Sequence, residues 1–144
     1  MLIRELMTPE PVSCAPETPL RGIAQLMVEN DCGVLPVCSE GKVVGVVTDR
    51  DIVTRGFTRT LDPTTMPVSD VMTRDLIVVH ADDTIERAVQ LMEGEQVHRL
   101  PVIENDRLVG MISVTDLADH LSERKAGELL REVSQSPRRA RMAL

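Results

Sequence analysis

Gly45-Val46-Val47-Thr48-Asp49-Arg50-Asp51 returns 65 positions later as Gly110-Met111-Ile112-Ser113-Val114-Thr115-Asp116. Each stretch has a glycine inside an apolar run, a hydroxyl residue where the run stops, and a carboxylate three residues on. The same offset holds outward in both directions. Met7-Thr8 returns as Met72-Thr73, Gln25-Leu26-Met27 as Gln90-Leu91-Met92, and Leu35-Pro36-Val37 as Leu100-Pro101-Val102. No gap is needed between residues 3–53 and 68–118. A repeat of this size is one supersecondary unit folded twice and packed against itself. Function is therefore expected in what the two copies enclose.

Each copy predicts the order β-α-β-β-α. An extended apolar stretch comes first, Val12-Ser13-Cys14 in one copy and Ile77-Val78-Val79 in the other. Leu20, Ile23, Ala24 and Met27 then recur at helical spacing, as do Ile85, Ala88, Val89 and Met92, which puts one apolar stripe on each helix. Thr18 before Pro19 predicts an N-cap followed by proline at the first helical position, and Asp83 holds the matching cap position. Two β-branched runs follow, joined by turns at Ser39-Glu40-Gly41 and at Glu104-Asn105-Asp106. The proline inside each Leu-Pro-Val run predicts an edge strand or a strand start. The second helices open near Thr48 and Ser113. The expected fold class is thus α/β (α+β), with repeats at 3–55 and 68–121 and a connector at 56–67. A C-terminal helical extension and basic tail fill 122–144, with Arg138, Arg139 and Arg141 in the tail.

Apolar residues make up 42% of the 144-residue chain but aromatics only 1%, so the core must be aliphatic. A net charge of −7 disfavours sequence-independent binding to nucleic acid, which needs clustered Lys and Arg. No apolar run approaches the roughly 18–20 residues that cross a bilayer. Met1-Leu2-Ile3-Arg4-Glu5 lacks the basic and apolar regions of a signal peptide, so the expected location is the cytoplasm. No P-loop, G-x-G-x-x-G or nucleophile elbow is present, and His80, His98 and His120 lack metal-ligand spacing. No enzyme and no metal site is expected, and His80 and His120 read as ordinary polar residues.

A hydroxyl residue followed three positions later by an acid is close to a capping box, and an acid in a first helical turn suits the helix dipole. The same geometry can serve a ligand. A carboxylate at a helix start can accept two hydrogen bonds from the vicinal hydroxyls of ribose, as an acidic residue does in dinucleotide-binding folds. Glycine in the preceding strand would let a flat base approach the backbone. Both roles can coexist, because capping uses one carboxylate oxygen and leaves lone pairs free.

The tandem repeat, the Met-Thr lead-in, the Leu-Pro-Val strand and the Gly-x-x-Thr/Ser-x-x-Asp element together resemble a pair of CBS domains, a Bateman module, over about residues 3–121. The resemblance implies a pseudo-two-fold pair with two clefts that bind an adenosine-containing ligand: AMP, ADP, ATP or S-adenosylmethionine. Carried over by position, Ser113 and Asp116 hold ribose in one cleft, with Val12, Ser13 and Cys14 around adenine. Thr48 and Asp51 hold ribose in the other, with Ile77, Val78 and Val79 around the base. His98 and Arg99 precede Leu100-Pro101, where similar proteins place a basic residue on the phosphates; the first copy has Gly33-Val34 there. The Asp116/Arg99 cleft is therefore expected to be the better nucleotide site. The resemblance also implies a disc-like homodimer.

All three cysteines, Cys14, Cys32 and Cys38, lie in the first copy and form no C-x-x-C pair. They read as small apolar residues of a reducing compartment. Cys14 closes the first strand of its copy and Cys38 the second, so a disulfide, metal or redox contact is feasible if those ends lie side by side. The expected function is a non-enzymatic regulatory or signalling sensor with no obligatory cofactor, whose output passes to an effector protein or through self-association. The alternative is a protein-interaction scaffold without a physiological nucleotide, possible thiol oxidation being its signal.

Overall fold

Two hairpins with the same register organise the chain. In a computed structural model, which describes residues 1–135, the elements run β1 (Thr8–Pro9), α1 (Leu20–Glu29), β2 (Val34–Ser39), β3 (Lys42–Thr48), α2 (Asp49–Asp51), a π-helical turn (Ile52–Gly56) and α3 (Phe57–Arg59). They continue with β4 (Val79–His80), α4 (Ile85–Glu95), β5 (Arg99–Glu104), β6 (Arg107–Ser113), α5 (Val114–Ala118) and α6 (Glu123–Ser134). The basic tail, 136–144, lies outside the described residues. The extension before it is the helix α6, which Ser122 caps through the Lys125 N–H and which buries Leu129 and Val133.

Each hairpin closes on two residues with positive φ, Glu40-Gly41 and Asn105-Asp106, the backbone that tight antiparallel turns require. Each carries a register shift at the same place, Val37/Cys38 and Val102/Ile103. The repeat is thus a repeat of register as well as of residues.

Residue contacts divide the chain into two units, one of Met1–Pro11 with residues 77–135, the other Val12–Leu76. The repeats at 3–55 and 68–121 are units of sequence; the lead-in of each packs with the strands of the other. In the first-named unit the strand order is β1-β6-β5-β4, with Thr8 opposite Met111 and Pro9 opposite Gly110. Ile3, fully buried, joins Val79, Ile85, Ala88, Met92, Leu100, Val102, Ile112, Leu117 and Leu129 in one core. In the other unit the flanking strands shrink to single bridges, Thr73 to Val46 and Cys14 to Val37, around the β2–β3 hairpin. Val68 takes the place of Ile3 in a core with Leu20, Ile23, Leu35, Val37 and Val47.

Three local expectations shift. The N-cap of α1 is Pro19, not Thr18, whose hydroxyl instead accepts the Ala15 N–H (3.2 Å). The N-cap of α4 is Thr84, which accepts the Arg87 N–H (3.3 Å); Asp83 turns back to the His80 N–H (2.8 Å). A short acceptor can serve either the helix or the turn before it, and the turn takes both residues. The proline of β5 is not on an edge strand, since β5 lies between β6 and β4. It is tolerated because β4 pairs only with Val102 and Ile103, beyond Pro101.

The repeated strand glycines have a packing role. A Cβ on Gly110 would stand 2.5 Å from Met7 Sδ and 3.0 Å from the Thr8 carbonyl oxygen. On Gly45 it would stand 2.6 Å from Met72 Sδ and 3.1 Å from the Thr73 oxygen. The Met-Thr lead-in therefore lies on the strand glycine in both units. This corrects the expectation that the glycines admit a flat base: the space is filled by methionine.

Candidate functional site

Ser113 ends β6 and begins α5, and the reciprocal cap is made. The Asp116 N–H donates to Ser113 Oγ (3.2 Å), and the Ser113 N–H donates to Asp116 Oδ2 (2.8 Å). Asp116 Oδ1 has no hydrogen-bond partner among the described residues. Arg99 is the cross-strand partner of Ser113, so hairpin register brings them side by side at one end of the sheet. His98 is tied in through its carbonyl, which accepts the Val114 N–H (2.9 Å). The His98 and Arg99 side chains are exposed and make no ion pair or hydrogen bond among the described residues. One unit thus gathers Ser113, Asp116, His98 and Arg99: an acceptor with a free lone pair, a hydroxyl, and two nitrogen donors facing water.

The matching turn of the first repeat makes the same cap but has different neighbours. Asp51 donates its N–H to Thr48 Oγ1 (3.1 Å) and accepts the Thr48 N–H at Oδ2 (2.9 Å). Val34 stands opposite Thr48, and the Asp49 N–H donates to the Gly33 carbonyl (3.0 Å). A second carboxylate intrudes here. Asp49 accepts the Arg50 N–H (2.8 Å) and lies over Gly33, where a Cβ would be 2.9 Å from Oδ2. Where the second repeat presents His98 and Arg99, the first presents Gly33, Val34 and an acid.

Of the residues expected around adenine, Cys14 and Val79 have their side chains buried in the cores of their own units. Val12 and Ser13 are exposed, and Ile77 and Val78 are half-buried, so these four keep accessible surface.

The strand ends of Cys14 and Cys38 do lie side by side, with the Cys38 N–H donating to the Cys14 carbonyl (2.8 Å). The possible disulfide between them is not formed; all three cysteines are free. Cys14 Sγ instead contacts the Pro36 carbonyl (3.7 Å) inside the core. Burial pushes the Cys14 thiol up to about 11, and the neighbouring Cys38 adds to the rise. Burial also raises Cys38, with a hydrogen bond from Ser13 acting the other way. Both thiols are held protonated and slow to react at neutral pH.

A family model, CBS domain, matches residues 3–56 and again 68–123. The chain belongs to the CBS domain family. CBS domain-containing protein YhcV of Bacillus subtilis is 34% identical over 92% of this chain and 94% of its own length. The crystal structure of hypoxic response protein I, with two coordinated zinc ions, matches at 35% identity and a TM-score of 0.77, over 85% of this chain and all (100%) of that one. The CBS domain pair of MJ0100, solved with 5-methylthioadenosine and S-adenosyl-L-methionine, matches at a TM-score of 0.73 and 21% identity, over 83% of this chain and 94% of that chain. At that identity the last likeness is one of fold. Among the described residues no three of His, Cys, Asp and Glu converge. No helix among the described residues is long and apolar enough to cross a membrane.

The sequence located the capped carboxylates but missed Arg55, whose guanidinium lies beside Asp51. The signal was available: the second repeat has His120 at the same position.

Proposed function

We propose that this chain is a regulatory sensor, not an enzyme, and that Ser113 and Asp116 hold the ribose of an adenosine-containing ligand with Arg99 and His98 toward its phosphates. The observation that carries the reading is the half-used carboxylate: Asp116 Oδ2 is fixed by the cap while Oδ1, like Arg99 one strand away, has no partner among the described residues. The cap orients the acid before the ligand arrives, so little ordering remains on binding. A fixed guanidinium fork favours AMP, ADP or ATP over S-adenosylmethionine, which has no phosphate. The adenosine ligands of the MJ0100 pair support the class of ligand. Thr48 and Asp51 form the corresponding turn of the first repeat. The signal would pass, in a reducing cytoplasm, to an effector protein or through a two-fold homodimer, for which the exposed Val53, Phe57 and Leu61 supply apolar surface.

Isothermal titration with adenosine, AMP and ATP tests this. Asp116→Ala is expected to weaken all three about 10–100-fold, the worth of hydrogen bonds to a charged acceptor. Arg99→Ala is expected to weaken AMP and ATP but leave adenosine nearly unchanged. Unchanged affinity in both variants would end the proposal.

A second reading rests on the paired thiols: a scaffold that responds to oxidation. Two electrons and two protons would leave Cys14 and Cys38 for a peroxide as a disulfide formed. The raised thiols make the step slow, so the expected result is three titratable thiols after brief exposure to peroxide at neutral pH. Rapid loss of two thiols, with no binding of any adenosine compound, would favour the scaffold.

A further inference from the structure

We infer that Arg55 closes the sugar-binding position of the first repeat, so that this chain takes one adenosine ligand, at Asp116, rather than two. The inference rests on the reading of Asp116 given above and concerns what makes the two repeats unequal.

The two acids start from the same cap and differ in their second oxygen. Asp51 Oδ1 faces Arg55 Nε at 3.9 Å, in a pair whose side chains are only 10% and 22% exposed. Asp51 is the one buried charged residue among the described residues. Arg55 is held from its other end as well, because its Nη1 donates to the Val71 carbonyl (3.1 Å). The guanidinium therefore spans from the acid to the lead-in segment of the second repeat, which packs in this unit. The second repeat has His120 at this position, and its Nδ1 lies 3.3 Å from the backbone oxygen of Asp116, not from the carboxylate. One residue difference gives Asp51 a cation, while Asp116 Oδ1 has no partner among the described residues.

A ribose hydroxyl is a neutral donor. To reach Asp51 it would have to displace a guanidinium from a poorly solvated carboxylate, and it would leave that guanidinium short of its partner. Separating the guanidinium from a buried carboxylate is unfavourable, so the neutral competitor loses. Asp49 adds to the effect by taking the Arg50 N–H and placing a second negative charge over Gly33, the position that His98 holds in the second repeat.

The test is titration of AMP into the full chain, with its Arg55→His, Arg55→Gln, Asp51→Ala and Asp116→Ala variants. The expected stoichiometry is about one per wild-type chain, with the affinity of that equivalent unchanged in Asp51→Ala and weakened about 10–100-fold in Asp116→Ala. Arg55→His, which copies the second repeat, and Arg55→Gln are each expected to add a second, Asp51-dependent equivalent. Two equivalents in the wild type, weaker AMP binding in Asp51→Ala, or one equivalent in both Arg55 variants would overturn it. A thermal double-mutant cycle over Arg55→Gln and Asp51→Asn needs no ligand, so it separates this inference from the reading beneath it. Non-additive melting shifts are expected, and additive shifts would refute the Arg55–Asp51 pair even if AMP binds at Asp116. No AMP binding by any variant would refute the reading of Asp116 and, with it, the stoichiometry.

Discussion

Gly110→Val is expected to destabilise the protein by about 3 kcal/mol, at the upper end of what overpacking a filled site costs. The first atom of the new side chain would stand 2.5 Å from Met7 Sδ and 3.0 Å from the Thr8 oxygen. The methionine tip can swing away, but the carbonyl belongs to β1, which is paired to β6 at this very point. Either the valine distorts β6 or β1 lifts off. For a unit of this size the loss corresponds to a fall in Tm of roughly 10–20 °C. A companion pair checks the cause. Gly110→Ala should be partly rescued by Met7→Ala, which removes the sulfur but leaves the carbonyl in place. Thermal denaturation followed by circular dichroism reads both effects. A Tm for Gly110→Val within a degree or two of wild type would mean that Met7 does not occupy the glycine.

Ile3→Ala is expected to cost about 2–5 kcal/mol, as for other fully buried large-to-small changes. Its location makes the result informative. Ile3 opens the first repeat in sequence, yet its side chain is fully buried among Val79, Ile85, Leu100 and Ile112 of the second. The N–H of Ile3 donates to the Asp83 carbonyl (2.9 Å) and that of Arg4 to Ala81 (3.0 Å), so the backbone is anchored there too. Hydrogen exchange should therefore show protection lost in β5, β6 and α4, with β2 and β3 nearly unchanged. Val68→Ala should do the reverse, because Val68 holds the equivalent place with Leu20, Ile23 and Val47. Loss of protection confined to β2 and β3 on mutating Ile3 would contradict the exchange of lead-in segments.

Much of this architecture was legible in the residues because its causes are local. The hairpins were visible in β-branched runs broken by turn residues, and the helices in an apolar stripe at i, i+3, i+4 and i+7. The turns at Thr48–Asp51 and Ser113–Asp116 were visible because a cap needs only residues three apart. Even the inequality of the repeats showed in His98-Arg99 against Gly33-Val34. Local competition hid the helix starts, where Thr18 and Asp83 serve turns instead.

What the sequence could not settle by itself depends on partners distant along the chain. Gly45 and Gly110 read as room for a base, and only the docking of Met72 and Met7 shows that a side chain takes it. Asp51 and Asp116 look alike in their local sequence and cap alike, yet Arg55 stands 3.9 Å from the second oxygen of one, while among the described residues nothing pairs with that of the other. A hydrogen-bond pattern within one helical turn is set by backbone geometry that the residues carry with them. The fate of the second carboxylate oxygen is set by which charge the fold brings beside it.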